Sequence, residues 1–174
     1  ADLTGDHEPT RHQPNIAARI AAQHPDRAAE LMGMIEDFQR ARKMARVVYA
    51  MAPAHPDKAV ELANSIGGSY GFERVRCLGY IALALRDTDA ARAAEVFAQA
   101  VEVASRLPAS ERGGWDAEQT AATMAELAYI GARIGYPDIQ RLIWRTIALL
   151  SNLAKRFSQA RWCATNRYSL CWSQ

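Results

Sequence analysis

After residue 138 apolar side chains recur every three or four positions. Ile139, Leu142, Ile143, Ile147, Leu150, Leu153, Ala154 and Phe157 fall on one side, while Arg141, Arg145, Asn152, Lys155 and Arg156 share the other. That spacing matches the 3.6-residue turn of an amphipathic helix and predicts one over 138–157. Upstream, the pattern comes in recurring phrases. His24-Pro25-Asp26-Arg27 returns as His55-Pro56-Asp57-Lys58, and Asp89-Ala90-Ala91-Arg92 is a third copy without the proline. Glu30, Glu61 and Glu95 then mark equivalent positions. Each phrase opens like a helix, because proline suits the first turn and Asp26 or Asp57 is placed to accept hydrogen bonds from the free N–H groups there. Asp89 or Asp87 is expected to cap the third copy.

Between these starts a second segment recurs, RARKMARVVYAM from Arg40 and RVRCLGYIALAL from Arg74. The interval from Arg40 to Arg74 equals that from Lys58 to Arg92, 34 residues, while His24 and His55 stand 31 apart. Each unit is therefore expected to be a pair of helices. The pattern predicts helices over 15–23, 25–36, 39–52, 56–66, 72–86, 90–106, 116–134 and 138–157, after a flexible polar tail over 1–14. The stretch LPASERGGWD, 107–116, reads as the longest loop. It divides the repeats, 15–107, from a C-terminal helical hairpin and cap, 108–157, whose second helix is introduced by Tyr136-Pro137-Asp138.

Composition narrows the fold class. Alanine is about a fifth of the chain and aromatics only 8%, which favours closely packed helices over a sandwich or barrel built on β-branched and aromatic faces. A length of 174 residues suits one domain. Helix pairs this rich in alanine bury their stripe by stacking on neighbours. The expected fold is all-α: a short right-handed solenoid of stacked antiparallel helix hairpins, closed by the C-terminal capping hairpin.

Leu78-Gly79, followed in the next helix by Ala93-x3-Phe97-x2-Ala100 and then Pro108, resembles the tetratricopeptide repeat, whose period is about 34 residues. The resemblance covers residues 15–107. Val75 and Ala82 stand where that repeat has Trp and Tyr, and the first copy has Met44-Ala45 for Leu-Gly. The chain is also similar to the alanine-rich helical repeats common in high-GC bacterial proteins. The resemblance implies that the first helix of each pair lines a concave groove that grips an extended peptide or a partner's helix. It assigns Arg42, Arg46, Arg76 and Tyr80 to that face, where guanidinium forks match carboxylates or phosphates. The carboxylate clamp of chaperone-binding members also uses asparagines, where this chain has Arg46 and Tyr80. The competing account pairs these arginines with Glu30, Glu61 and Glu95 or Glu73 along the stack.

Charge and cysteine usage add location and exclude some chemistry. No apolar run approaches the ~20 residues needed to cross a bilayer, and the opening ADLTGDHEPTRHQP is polar where a signal peptide is apolar. Cys77, Cys163 and Cys171 cannot all pair within one chain, so a reducing, cytoplasmic setting is expected. All the acidic groups lie at or before Asp138, where they outnumber the basic ones, and after it come six basic residues and no acid. His24 and His55 lack a third ligand, so no metal is expected. No Ser/His/Asp order, HExxH, phosphate-binding glycine loop or paired-carboxylate constellation stands out. The chain is expected to act without catalysis and without a cofactor, as a scaffold for a protein or peptide partner.

The tail, 158–174, supplies the alternative. Arg161, Trp162, Cys163, Thr165, Arg167, Tyr168, Ser169, Cys171 and Trp172 mix cations, aromatic rings, thiols and hydroxyls without one acid. It reads first as a segment folding back over the core. It also suits a basic-aromatic arm for nucleic acid or an anionic membrane surface, whose binding would be weak and strongly salt-dependent with so few arginines. Its Ser, Thr and Cys content further resembles the core of a ribosomally made, enzymatically modified peptide, which would make the helical part a leader for a modifying enzyme.

Overall fold

The computed structural model describes residues 9–67, 70–107, 115–148, 150–152 and 154–155. They form helices without a single strand among them. The elements are α1 (Pro9–Ile20), α2 (Pro25–Gly33), α3 (Asp37–Met51), α4 (Pro56–Asn64), α5 (Gly71–Leu85), α6 (Ala90–Ser105) and α7 (Trp115–Ile134). A last helix, α8, runs over 139–148 and continues at 150–152 and 154–155.

The three recurring phrases have one backbone geometry. His24, His55 and Asp89 are the N-caps of α2, α4 and α6, with φ/ψ of −134/67°, −140/66° and −148/82°. Each accepts a hydrogen bond from the fourth residue on: Ala28 N to His24 O, Ala59 N to His55 O, Ala93 N to Asp89 O. Each donates back to the end of the preceding helix, at Ile20 O, Met51 O and Leu85 O. The same tight turn is therefore built three times.

Capping differs from expectation. Asp26 and Asp57 make no side-chain cap bond to α2 or α4, because proline takes the first helical position and moves the aspartate one place too far along to reach back over the free N–H groups. Their carboxylates pair with the next repeat instead. Asp26 bonds Lys58, and Asp57 lies 2.5 Å from Arg92. Of the three N-caps only Asp89 accepts a cap bond on its side chain, from Arg92 N at 2.9 Å. In α6 the place of Asp26 and Asp57 is taken by Ala91.

Each of α1, α3, α5 and α7 packs on the next in that order, and α2, α4 and α6 pack on their own hairpin partner and on the odd-numbered helix that follows. The core between is made of small and medium side chains, with Phe97, Met32, Met44, Met51, Leu78, Ile81 and Met124 fully buried. Close approach depends on glycine at one joint: a Cβ on Gly131 would lie 2.6 Å from Ile139 Cδ1 and 2.7 Å from Phe97 Cζ. Phe97 stacks obliquely on Tyr136, ring centres 4.7 Å apart. Gly135, at φ 70°, stops α7. Its left-handed backbone lets Tyr136 N reach Gly131 O, which ties off the helix end.

Several helix boundaries depart from the sequence pattern: α3 starts at Asp37 and α4 ends at Asn64, each two residues early. α1 begins at Pro9, inside the stretch expected as tail, and tolerates Pro14, whose missing N–H costs one bond near the end of the first turns. α2 stops at Gly33 and not at residue 36, with its end closed by Met34 N on Glu30 O. α8 begins at 139, and only part of its apolar stripe is covered. Leu142 and Thr146 are buried, whereas Ile143, Ile147 and Leu150 are exposed, with Trp144 70% exposed. Periodicity gave the width of the stripe, and the neighbouring helices cover only its near edge. Most of the loop at 107–116 and all of the tail 158–174 lie outside the described residues.

Candidate functional site

Arg42, Arg46, Arg76 and Tyr80 come together. They line one cleft of about 600 Å³ with Pro14, Asn15, Lys43, Ala45, Tyr49 and Leu83, a volume within the ~300–1,000 Å³ usual for ligand sites. α1 supplies Pro14 and Asn15, α3 the central stretch from Arg42 to Tyr49, and α5 Arg76, Tyr80 and Leu83. The convergence follows from the repeat. The interval that carries Arg40 to Arg74 also carries Arg42 to Arg76, Arg46 to Tyr80 and Tyr49 to Leu83, so neighbouring helices present equivalent positions side by side.

The lining is held by bonds between successive odd-numbered helices. Arg46 Nη1 donates to Asn15 Oδ1 at 3.0 Å, across α1 and α3. Tyr49 meets Tyr80 edge to face, ring centres 6.3 Å apart at 89°. Tyr80 donates its hydroxyl to Glu126 Oε1 of α7 at 2.9 Å. Glu126 also faces Arg76, whose Nε is 2.9 Å from Oε2, close enough for an ion pair but outside hydrogen-bond geometry. The Tyr80 hydroxyl is shifted up from its ordinary value, first by burial and then by its bond to Glu126. Tyr80 is therefore a neutral donor at physiological pH.

The pairing of arginines with Glu30, Glu61, Glu95 or Glu73 is corrected by these contacts. Glu30 is held by Arg27 at 2.6 Å and Glu95 by Arg92 at 2.9 Å, each within its own helix. Arg76 has Glu126, and Arg46 has an amide oxygen. Lys43 makes no hydrogen bond or ion pair among the described residues. The lining itself carries four cations and no carboxylate.

Asn15, Lys43, Tyr49 and Glu126 were not picked out from the sequence. Asn15 was within reach, because it precedes Arg46 by the same interval that separates His24 from His55. Lys43 and Tyr49 lie inside the RARKMARVVYAM segment itself. Glu126 had no signal, since α7 follows the long loop and carries no copy of the repeat phrase.

The remaining chemistry is sparse. His55 Nε2 lies 3.2 Å from Ala22 O, across the turn between repeats. Among the described residues no three His, Cys, Asp or Glu side chains are grouped to hold a metal ion, and no helix is long and apolar enough to cross a membrane. Cys77 is buried, its thiol pushed up to about 12 by desolvation. Arg161, Trp162, Cys163, Thr165, Arg167, Tyr168, Ser169, Cys171 and Trp172 lie outside the described residues.

Comparison with known proteins finds no family model, no curated protein and no solved structure that matches this chain.

Proposed function

We propose that the protein is a non-catalytic helical-repeat scaffold of the cytoplasm, a TPR-like right-handed stack of hairpins that binds a protein or peptide segment in the cleft across α1, α3 and α5. The observation that carries this reading is the convergence of Arg42, Arg46, Arg76 and Tyr80 on one open cleft, lined by parallel positions of successive helices. A surface made of equivalent positions repeated at fixed spacing suits a guest that is itself a repeating chain, engaged at several points. Apolar contact with Pro14, Ala45, Tyr49 and Leu83 supplies affinity, and the arginines set orientation. Such a groove is worth micromolar binding, ~8 kcal/mol, because ordering the guest offsets much of the contact energy.

The test is unbiased selection of peptides by display on the intact protein, followed by photocrosslinking from a benzophenone residue placed at Tyr49 or, separately, at Tyr129 on the exposed side of α7. Crosslinks from position 49, lost in Arg46→Ala/Arg76→Ala, are expected. Selected peptides that crosslink from position 129 and ignore the double variant would sink the proposal.

A further inference from the structure

Resting on that reading, we infer that the segment taken by the cleft is acidic, with carboxylate side chains against Lys43 and Arg46 and an aromatic or branched apolar side chain against Tyr49 and Leu83. The two layers of the fold differ in sign. α1, α3 and α5 carry eight Arg or Lys against two Asp or Glu, and α2, α4 and α6 carry three against six. On α2, α4 and α6 every cation has a carboxylate: Arg27 has Glu30, Lys58 has Asp26, and Arg92 has both Asp57 and Glu95. In the cleft Arg46 meets the neutral Asn15 amide, and Lys43 has no partner among the described residues.

Lys43 and Arg46 stand three positions apart on one helix, a spacing at which like charges repel. Excess cation of this kind is unfavourable in the empty protein and becomes favourable when an anion is bound. The apolar half of the lining narrows the choice of anion. A bare inorganic ion would leave Pro14, Ala45 and Leu83 uncovered. A long polyanion would run past the cations into Glu126 at one end and the acidic layer of α2, α4 and α6 behind, so a short acidic stretch with apolar side chains fits better than a nucleic-acid strand. Recognition is by side-chain carboxylates along the guest, so it needs no free chain end.

The experiment is fluorescence anisotropy on the full chain with short labelled peptides, acetylated and amidated at their ends, in which Glu and Asp alternate with Phe and Leu. The acidic peptide should bind and weaken as salt rises. Its Gln/Asn counterpart should bind at least about tenfold more weakly, in keeping with the loss of charge-assisted bonds. Both Lys43→Glu/Arg46→Glu and the milder Lys43→Gln/Arg46→Gln should weaken the acidic peptide, with unchanged helical circular dichroism. Arg27→Gln/Lys58→Gln, on the other layer, should leave it alone. Equal binding of the Gln/Asn peptide overturns the inference and leaves the peptide-binding reading standing. A requirement for a free C-terminal carboxylate overturns it, as does displacement by a single-stranded oligonucleotide or inorganic phosphate at lower concentration than the unlabelled peptide. If no peptide binds and none crosslinks from position 49, the peptide-binding reading falls with it.

Discussion

Helices α2, α4 and α6 and helices α1, α3 and α5 make opposite use of charge on one shared core. On α2, α4 and α6 each cation is matched, and two of the matches, Asp26 with Lys58 and Asp57 with Arg92, join successive repeats. On α1, α3 and α5 cations gather around a cleft with one carboxylate, Glu126, at its far side. Exposed pairs of the first kind are each worth only ~0.2–1 kcal/mol, so they supply little of the stability. The second arrangement gives up a little stability through repulsion between neighbouring cations on α3.

The largest effect tests the core that both layers rest on. Phe97, fully buried under Gly131 and against Tyr136, should cost ~3–5 kcal/mol when replaced by Ala, measured by urea unfolding. No single change on either charged layer should approach that; a cost under ~1 kcal/mol would mean the two layers do not share the core described here.

Next comes Cys77, on the inward side of the helix whose outward side carries Arg76. Its thiol, pushed up to about 12 by burial, keeps its proton in the folded chain at pH values where the unfolded chain loses it. Its contribution is intact below the ordinary thiol range and is lost as pH rises above it, at about 1.4 kcal/mol per pH unit. Unfolding free energies of the wild type and Cys77→Ala between about pH 8 and 10.5 should diverge in slope by that order, with the variant flatter. Parallel slopes would place the thiol in contact with water.

Two smaller predictions oppose each other in sign. Asp57→Asn, on the matched layer, should lose ~0.2–1 kcal/mol, a loss that fades in high salt and couples to Arg92→Gln in a double-mutant cycle. Lys43→Gln, on α3, should gain ~0.2–0.5 kcal/mol by relieving repulsion with Arg46. Losses of equal size at both positions would erase the distinction between the layers.

Much of this was legible in the sequence because repetition carries geometry. A phrase used again after 31 and then 34 residues implies an equivalent turn, and the matching backbone angles of His24, His55 and Asp89 bear that out. The shared period brought Arg42 beside Arg76 and Arg46 beside Tyr80. What was misread involved choices between adjacent positions. With His, Pro and Asp in a row, composition favours Asp as the cap, but the turn places His there and frees the carboxylate to reach another helix. Ile143 and Ile147 show a second limit, since spacing identifies an apolar face but not how far a neighbour extends over it. Glu126 shows a third, because a contact between a repeat and a segment outside the repeat has no period to betray it.

The rungs between repeats also carry a direction. α4 both hands a carboxylate forward, from Asp57, and takes one through Lys58, whereas α6 takes one through Arg92 and has Ala91 where the forward-facing acid would stand. α6 only receives, so among the described residues the run of carboxylate–cation pairs from one recurring phrase to the next stops at Ala91.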